Sequence, residues 1–283
     1  TGKYIAYGIS EGGDEMATIY IKDIDNDKEL PEKIIHCRYS KIRWVFDDSG
    51  FYYTRNPRPG TVPKNEEHLH SKIYFHKLGD NPDNDELIFG EGRPKDDMIS
   101  MNLSLDGRYL SIHVSGTWSE NDVYIYDSKT KQTKLIISGI KSKFNIIFLK
   151  DKVLVYTNYK ANNYRVLYTT YEELFKSIDE WKEFIPEKEY LLQSVNITKS
   201  KIIAEYMVNA CSKLTLFDYQ GKEIENIPLP EYTNVINVST RREEEEFFYN
   251  IDSFTYPNIS FRYDPILKKY QEYRRMDNPI NPD

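Results

Sequence analysis

The chain has 283 residues, a formal net charge of −7 and 29% charged residues. An acidic chain in which positive and negative residues are interspersed is unlike a nucleic-acid-binding surface. No apolar run approaches the roughly 18 residues that a membrane-spanning helix needs. The 24 Tyr and 13 Phe favour β-strands. The two cysteines, Cys37 and Cys211, are far apart without C-x-x-C spacing, so we expect no disulfide framework and a reducing compartment, the cytoplasm.

A repeated pattern organises the chain from its beginning. Three copies start with a polar turn that ends in Gly2, Gly50 or Gly107, followed by an aromatic residue and an apolar strand, and three weaker copies follow without the glycine. The expected strand starts are Tyr4, Phe51, Tyr109, Val153, Ile202 and Glu246. The repeat length is therefore roughly 45 to 58 residues, within the range of repeat architectures.

Further strands follow in every repeat. The second strand alternates apolar and polar residues, which predicts a half-buried strand. These second strands are expected at residues 18–25, 72–78, 122–127, 164–169, 213–218 and 258–264. Third strands are expected at residues 87–89, 134–137 and 223–227, and the strands that precede the glycine turns at 41–46, 99–103, 144–149, 191–197 and 235–239.

Four antiparallel strands per repeat predict an all-β fold, a β-propeller of four-stranded antiparallel blades with about six blades present. The whole chain, 1–283, is then one propeller fragment, with a partial blade over residues 1–40 and five complete blades over 41–283. The chain starts with Thr and not Met, so we expect it to be a piece of something longer. An incomplete ring has open blade edges, which predicts self-association through those edges.

Residues 8–13 read Gly-Ile-Ser-Glu-Gly-Gly, the pattern with which α/β-hydrolases present a nucleophilic serine. That serine sits on a strand–turn–helix in a mostly parallel sheet. The residues after Ser10 alternate instead as another strand. We therefore interpret Ser10 as part of a hairpin loop, with Gly12 and Gly13 turning the chain.

Three of the five histidines are close in sequence and raise the question of a metal site. His68 and His70 would share one face of a strand, and His76 follows. No carboxylate or cysteine completes a metal-binding set, and no phosphate-loop, zinc-protease or EF-hand motif occurs, so we expect no metal and no cofactor. Residues 57–68 are expected to form a long polar loop.

Several segments together resemble the propeller domain of the prolyl oligopeptidase family. They read YIAYGIS with TIYIKD near the start, LHSKIYFHKLG at 69–79, LSLDGRYLSI at 103–112 and NYRVL at 163–167. The resemblance covers essentially the whole chain. It implies a seven-bladed propeller, of which the first blade is missing here, over an α/β-hydrolase domain. In the family that domain carries Ser, Asp and His and cleaves short peptides after proline.

The resemblance further implies that this chain has no catalytic residue and is inactive alone, and that its partner is the missing hydrolase domain. The propeller would cover the active site so that only short, proline-containing peptides enter. Tyr39 matches a substrate-facing Phe of the family and Met98 a cavity-lining Met. His113 and Gly116 stand where better-known members have Arg and Cys. The alternative is a stand-alone propeller that acts as a protein–protein interaction module.

Overall fold

The computed structural model describes residues 2–254 and 257–275, which form six antiparallel sheets. Sheet 1 contains β1 (Tyr4–Ile9), β2 (Met16–Asp23) and β3 (Lys28–Arg38). Sheet 2 contains β4 (Arg43–Trp44), β5 (Gly50–Arg55), β6 (Lys72–Lys77) and β7 (Glu86–Phe89). Sheet 3 contains β8 (Met98–Leu103), β9 (Tyr109–Ser115), β10 (Asp122–Asp127) and β11 (Gln132–Ile137).

The remaining three sheets repeat the same plan. Sheet 4 contains β12 (Phe144–Phe148), β13 (Val153–Thr157), β14 (Arg165–Thr169) and β15 (Lys182–Ile185). Sheet 5 contains β16 (Leu191–Ile197), β17 (Lys201–Val208), β18 (Cys211–Asp218) and β19 (Glu223–Ile227). Sheet 6 contains β20 (Asn234–Thr240), β21 (Phe247–Asp252), β22 (Ile259–Asp264) and β23 (Lys269–Arg275). Three 3-10 turns, Lys64–Glu66, Pro82–Asn84 and Ile178–Glu180, lie in connecting loops.

Strands that are consecutive in sequence are neighbours in every sheet, which is the meander of a propeller blade. The predicted all-β propeller with antiparallel four-stranded blades is therefore confirmed. Sheet 1 has three strands among the described residues. The outermost strands β3, β15 and β23 were not placed from the sequence. All seven residues of β23 are exposed, so no apolar alternation marks it.

The described residues divide into two compact units. Unit 1 comprises residues 2–155 and 169–181, and unit 2 comprises 156–168 and the described residues from 182 onward. None of the helices in the described part of the chain is long and apolar enough to cross a membrane.

The core of unit 1 consists of apolar layers between neighbouring sheets. Strand β5 is buried at all six positions because both of its faces are covered. Phe51 and Tyr53 pack with Ile19, Ile21 and Ile34 on one side. The opposite face of β5 contributes to a second layer, whose members include Tyr52, Ile73, Met101, Leu103, Leu110 and Ile112. A similar layer in unit 2 includes Leu214, Leu216, Phe247, Tyr249 and Ile251.

Two of the glycines that define the repeated turn are required by geometry. A Cβ on Gly50 would lie 2.2 Å from the backbone oxygen of His76, so β5 and β6 approach closely only without a side chain there. Gly107 has a φ of 71°, in the left-handed region that glycine adopts at little cost. The turn around it is held by the Asp106 carboxylate, which accepts from the Arg108 amide at 3.1 Å.

Candidate functional site

The candidate site lies at one end of sheets 1 to 3, all within unit 1. Neighbouring strands are antiparallel, so the end at which β1, β5 and β9 finish is also the end at which β4 and β8 begin. We call it the exit end. The loops 10–15, 56–71 and 116–121 lie there. Three clefts of about 360, 350 and 150 Å³ open at this end, one beside each loop.

Tyr39 follows β3 at the exit end and has a left-handed φ of 49°. Its ring is 65% exposed and lines the 360 Å³ cleft together with Ser10. The Tyr39 hydroxyl donates to the Glu15 carboxylate, which also accepts from Arg38 Nε at 2.8 Å. The hydrogen bond to Glu15 raises the pKa of the Tyr39 phenol, and the contacts with Tyr39 and Arg38 lower the pKa of Glu15. The side chain is therefore held in place while most of the residue remains exposed.

Met98 and Gly116 are brought together across sheet 3. Met98 opens β8 and pairs with Ser115, the last residue of β9, directly before Gly116. The Met98 side chain is 41% exposed. A Cβ on Gly116 would meet no atom within 4 Å, so the space above this glycine is open. Met98 offers an apolar side chain, whereas the cleft at Gly116 is also lined by charged residues, namely Arg93, Asp97, Glu120 and Asp122.

His113 is placed differently from the other three residues that the resemblance singled out. It lies in β9 and its side chain is buried. Its Nε2 accepts from the backbone amide of Ile146 in β12 at 3.1 Å. Burial, with a further contribution from the Arg43 charge, lowers the pKa of His113 to about 4. The imidazole is therefore neutral at pH 7 and acts as an internal hydrogen-bond acceptor that joins sheet 3 to β12.

A polar chain that the sequence analysis missed connects the first strands of sheets 2, 3 and 4. Arg43 Nη2 donates to Asn102 Oδ1 at 3.0 Å. Asn102 Nδ2 donates to Asn145 Oδ1 at 2.8 Å and to the Ile146 carbonyl at 3.1 Å. Single asparagines within the apolar strands around 102 and 145 are the sequence signal that could have indicated it.

Ser10 lies in a strand–loop–strand hairpin, as interpreted from the sequence. Strands β1 and β2 pair antiparallel, with Ile9 opposite Thr18. Gly12 and Gly13 have positive φ angles of 59° and 83°, and no helix follows the serine. Among residues 2–254 and 257–275, the histidine rings hydrogen-bond to the carboxylates of Glu66 and Asp85 and to the backbone amide of Ile146, and none of these partners is a serine hydroxyl.

The histidines considered for a metal site have separate partners. His68 and His70 lie in the long loop, so the expectation that they share one face of a strand was wrong. This loop covers residues 56–71, because the Asn56 side chain donates hydrogen bonds to two of the loop carbonyls. His70 pairs with Glu66 at 3.1 Å, and the buried His76 pairs with Asp85 at 2.9 Å. No group of three metal-binding side chains occurs in the described part of the chain.

Two further side chains at the exit end were missed. Trp118, in the 116–121 loop, is 87% exposed. Arg55 is the last residue of β5 and the only charged residue in this fully buried strand, which is the signal that could have found it. Arg55 lines the 350 Å³ cleft beside the long loop.

Comparison with known proteins shows one family. The model of the N-terminal β-propeller domain of prolyl oligopeptidase matches residues 1–274. The chain is 30% identical over 286 residues to a prolyl endopeptidase of Elizabethkingia meningoseptica, covering 100% of this chain and 40% of that protein. It is 29% identical over 302 residues to prolyl oligopeptidase A of Galerina marginata, covering 96% of this chain and 40% of that protein.

Solved structures share the fold of this chain. A prolyl endopeptidase structure, from work on interdomain dynamics in catalysis and specificity, superposes with a TM-score of 0.92 at 26% identity and covers 99% of this chain and 42% of its own. Prolyl oligopeptidase B from Galerina marginata without ligand has a TM-score of 0.82 at 21% identity, over 99% of this chain and 42% of its own. The chain thus spans about 40% of the length of the relatives that it matches.

Proposed function

The chain belongs to the N-terminal β-propeller domain family of prolyl oligopeptidase, and from that membership we propose that it is the substrate-gating, non-catalytic propeller of a serine peptidase. The whole enzyme would cleave short peptides after proline. The observation that carries the proposal is the match of this propeller to 40% of a prolyl endopeptidase at 30% identity. An α/β-hydrolase domain encoded outside these residues would supply the nucleophile, the base and the oxyanion hole.

The exit end is the face that we propose meets the hydrolase domain and the peptide. Tyr39 and Met98 are exposed there and offer apolar area to a substrate side chain. Gly116 leaves room beside Met98, since nothing would contact a Cβ at that position. His113 contributes indirectly, because its neutral ring holds the backbone of β12 in place.

Gating in this proposal is steric. Sheets packed through buried aromatic and aliphatic layers are rigid, so a folded protein cannot pass between the propeller and the hydrolase domain while a short extended peptide can. Cys37 and Cys211 are both free, which favours the cytoplasm as the place of action.

A chimera tests the proposal. This chain would replace the matching segment of the Elizabethkingia meningoseptica enzyme, and hydrolysis would be measured on a chromogenic Gly-Pro substrate and on a folded protein with an exposed proline loop. We expect cleavage of the small substrate only. Cleavage of both, or a chimera that folds but is inactive, would contradict the gating role. The 283-residue chain and its Ser10→Ala variant, assayed alone, should both be inactive.

In the same chimera, Tyr39→Ala and Met98→Ala should raise KM for the small substrate severalfold more than they change kcat, because both residues are proposed to contact the bound peptide. Leu135→Ala, an exposed apolar residue of the outer strand β11, is the control and should leave KM unchanged. Equal effects of all three substitutions would argue against a substrate-facing role for Tyr39 and Met98.

The exposure of Trp118 favours a second candidate, an interaction module that binds a protein partner. Exposed tryptophans are frequent anchors of protein interfaces. If the chain is such a module, the chimera stays inactive, and a partner captured by the chain is lost on Trp118→Ala.

A further inference from the structure

The 350 Å³ cleft at the exit end has an unusual lining. Its walls include the cations Arg55, Arg58 and Lys72 and the apolar surfaces of Val62 and Tyr74. None of the described acidic side chains lines it. A cavity with several cations and no carboxylate has a positive potential, which attracts an anionic group.

Arg55 is the central cation of this cleft. It is only 8% exposed, and its guanidinium carbon lies 4.2 Å from the centroid of the Tyr74 ring. Arg55 Nη1 donates to the Pro82 carbonyl at 3.1 Å, and the guanidinium forms no ion pair among residues 2–254 and 257–275. A guanidinium has five N–H donors. None of the Arg55 nitrogens is fully buried without a partner, and Arg55 is one of the residues that line the cleft.

The two cations at the rim each pair with a carboxylate, which leaves Arg55 as the cation of the cleft without an ion pair among the described residues. Arg58 pairs with Asp83 and Lys72 with Glu91, and both carboxylates lie outside the lining. Arg58 is the main cause of the lowered pKa of Asp83, and Arg55 contributes as well. Arg55 is therefore close enough to Asp83 to lower its pKa without pairing with it, and the three cations of the cleft outnumber their two carboxylate partners.

The cleft is preformed because its loop is fastened to the sheet. Asn56 Nδ2 donates to the carbonyls of His68 and Leu69 at 3.1 and 3.0 Å. The backbone N–H of Asn56 donates to the His36 carbonyl at 2.8 Å, and Asn56 Oδ1 accepts from the backbone N–H of Arg38 at 3.3 Å. Arg38 precedes Tyr39, so the same asparagine places the cleft beside the proposed substrate-facing surface. Binding of a ligand therefore has no additional entropic cost from ordering the loop.

We propose that this cleft binds the free C-terminal carboxylate of a short peptide. Arg55 pairs with the carboxylate through its unused donors, a geometry that guanidinium groups favour. Tyr74 and Val62 contact the side chain of the terminal residue, and this apolar surface distinguishes a peptide from a bare inorganic anion. The inference deepens the proposed function and rests on it, since it names the peptide end that is held next to Tyr39.

The first experiment compares two ligands on the unaltered 283-residue chain. An N-acetylated Gly-Pro-Phe peptide with a free C-terminus and the same peptide as its C-terminal amide are titrated by calorimetry. We expect the amide to bind roughly tenfold or more weakly, because a charge-assisted pair is lost. Equal binding of acid and amide, or no binding of either, would overturn the proposal. Inorganic phosphate that displaces the peptide at equal concentration would also overturn it, by showing a general anion site.

Substitutions test whether Arg55 and Lys72 cause the preference for the acid over the amide. Arg55→Lys keeps the charge but loses the planar fork, and Lys72→Gln removes a rim cation at a partly exposed position of the neighbouring strand β6. Each should reduce the preference for the acid over the amide severalfold. Arg262→Gln removes one surface cation of unit 2 and serves as the matched control, which should keep the full preference. If Arg55→Lys fails to fold, the test rests on Lys72→Gln. An unchanged preference of Lys72→Gln for the acid over the amide would contradict binding in this cleft.

The binding assay requires no catalysis, so the two proposals can fail separately. An active chimera combined with equal binding of acid and amide would retain the gating function and remove the carboxylate site. An inactive chimera combined with Lys72-dependent binding of the acid would retain the site and remove the gating function.

Discussion

Replacing His113 by Gln should change how the stability of unit 1 depends on pH. The His113 ring is buried and accepts a hydrogen bond from the Ile146 amide, an interaction that the Gln side-chain oxygen can reproduce without titrating. The comparison therefore isolates the protonation of one buried imidazole.

The expected size of the effect follows from the two pKa values of His113. Burial lowers the pKa from 6.5 to about 4 in the folded chain. Between these values the unfolded chain binds a proton at His113 that the folded chain does not, so the free energy of unfolding falls as the pH is lowered. Each pKa unit corresponds to about 1.4 kcal/mol, which gives a total loss of about 3 kcal/mol once the pH reaches about 4.

Urea denaturation followed by tryptophan fluorescence is a suitable assay, because Trp44, Trp118 and Trp181 all lie in unit 1 with His113. The free energy of unfolding is measured from about pH 7.5 down to about pH 4.5 for the unaltered chain and for His113→Gln. The exposed loop residue His68 provides the control His68→Gln. Over this range the free energy of unfolding of the unaltered chain should fall by about 2 to 3 kcal/mol more than that of His113→Gln. The control His68→Gln should show the same fall as the unaltered chain.

A difference between the unaltered chain and His113→Gln that is independent of pH would refute this reasoning. It would mean that His113 takes up its proton in the folded chain almost as easily as in the unfolded chain. A difference that grows as the pH rises would have the wrong sign and would contradict it equally.

Three other outcomes can be checked by denaturation and sedimentation. Phe51→Ala should lower the free energy of unfolding by about 3 to 5 kcal/mol, because the Phe51 ring is fully buried. The control Phe46→Ala removes the side chain of a residue that is 73% exposed and should change this free energy by less than about 0.5 kcal/mol. Similar values for the two variants would contradict the assigned core. Gly50→Ala should be far more destabilising than Gly116→Ala, because only the first places a Cβ against a backbone oxygen. The chain should self-associate in sedimentation velocity through β1, which has one neighbouring strand among the described residues, and Ile5→Lys should weaken that association; a monodisperse monomer would speak against it.

The strand order and the turns could be predicted from the sequence with good accuracy. Strands such as β10 and β16 were expected at the residues where they occur, because period-two alternation reports which face of a strand is buried. Strand β4 is shorter than expected, with only Arg43 and Trp44 paired. Strand β23 gave no signal, because every one of its residues is exposed and nothing in the pattern marks a buried face.

The candidate site could be predicted only in part. Tyr39, Met98 and Gly116 follow from the resemblance to the family, and the structure shows them exposed at the exit end. The burial of His113 could not be read from the sequence, since its contact with Ile146 joins residues 33 positions apart. The cleft around Arg55 was missed for the same reason, because a loop residue, a strand end and a neighbouring strand form it together.

The sequence by itself determined the fold class, the repeat and the hairpin loop that contains Ser10. These are local properties, set by alternation and by turn residues within one or two strands, so short windows of sequence carry them. Only the tertiary structure decided that His113 is an internal acceptor with a lowered pKa and that Arg55 is a nearly buried cation without a carboxylate of its own. Burial and electrostatic environment depend on which sheets pack together, and side chains distant in sequence determine that packing.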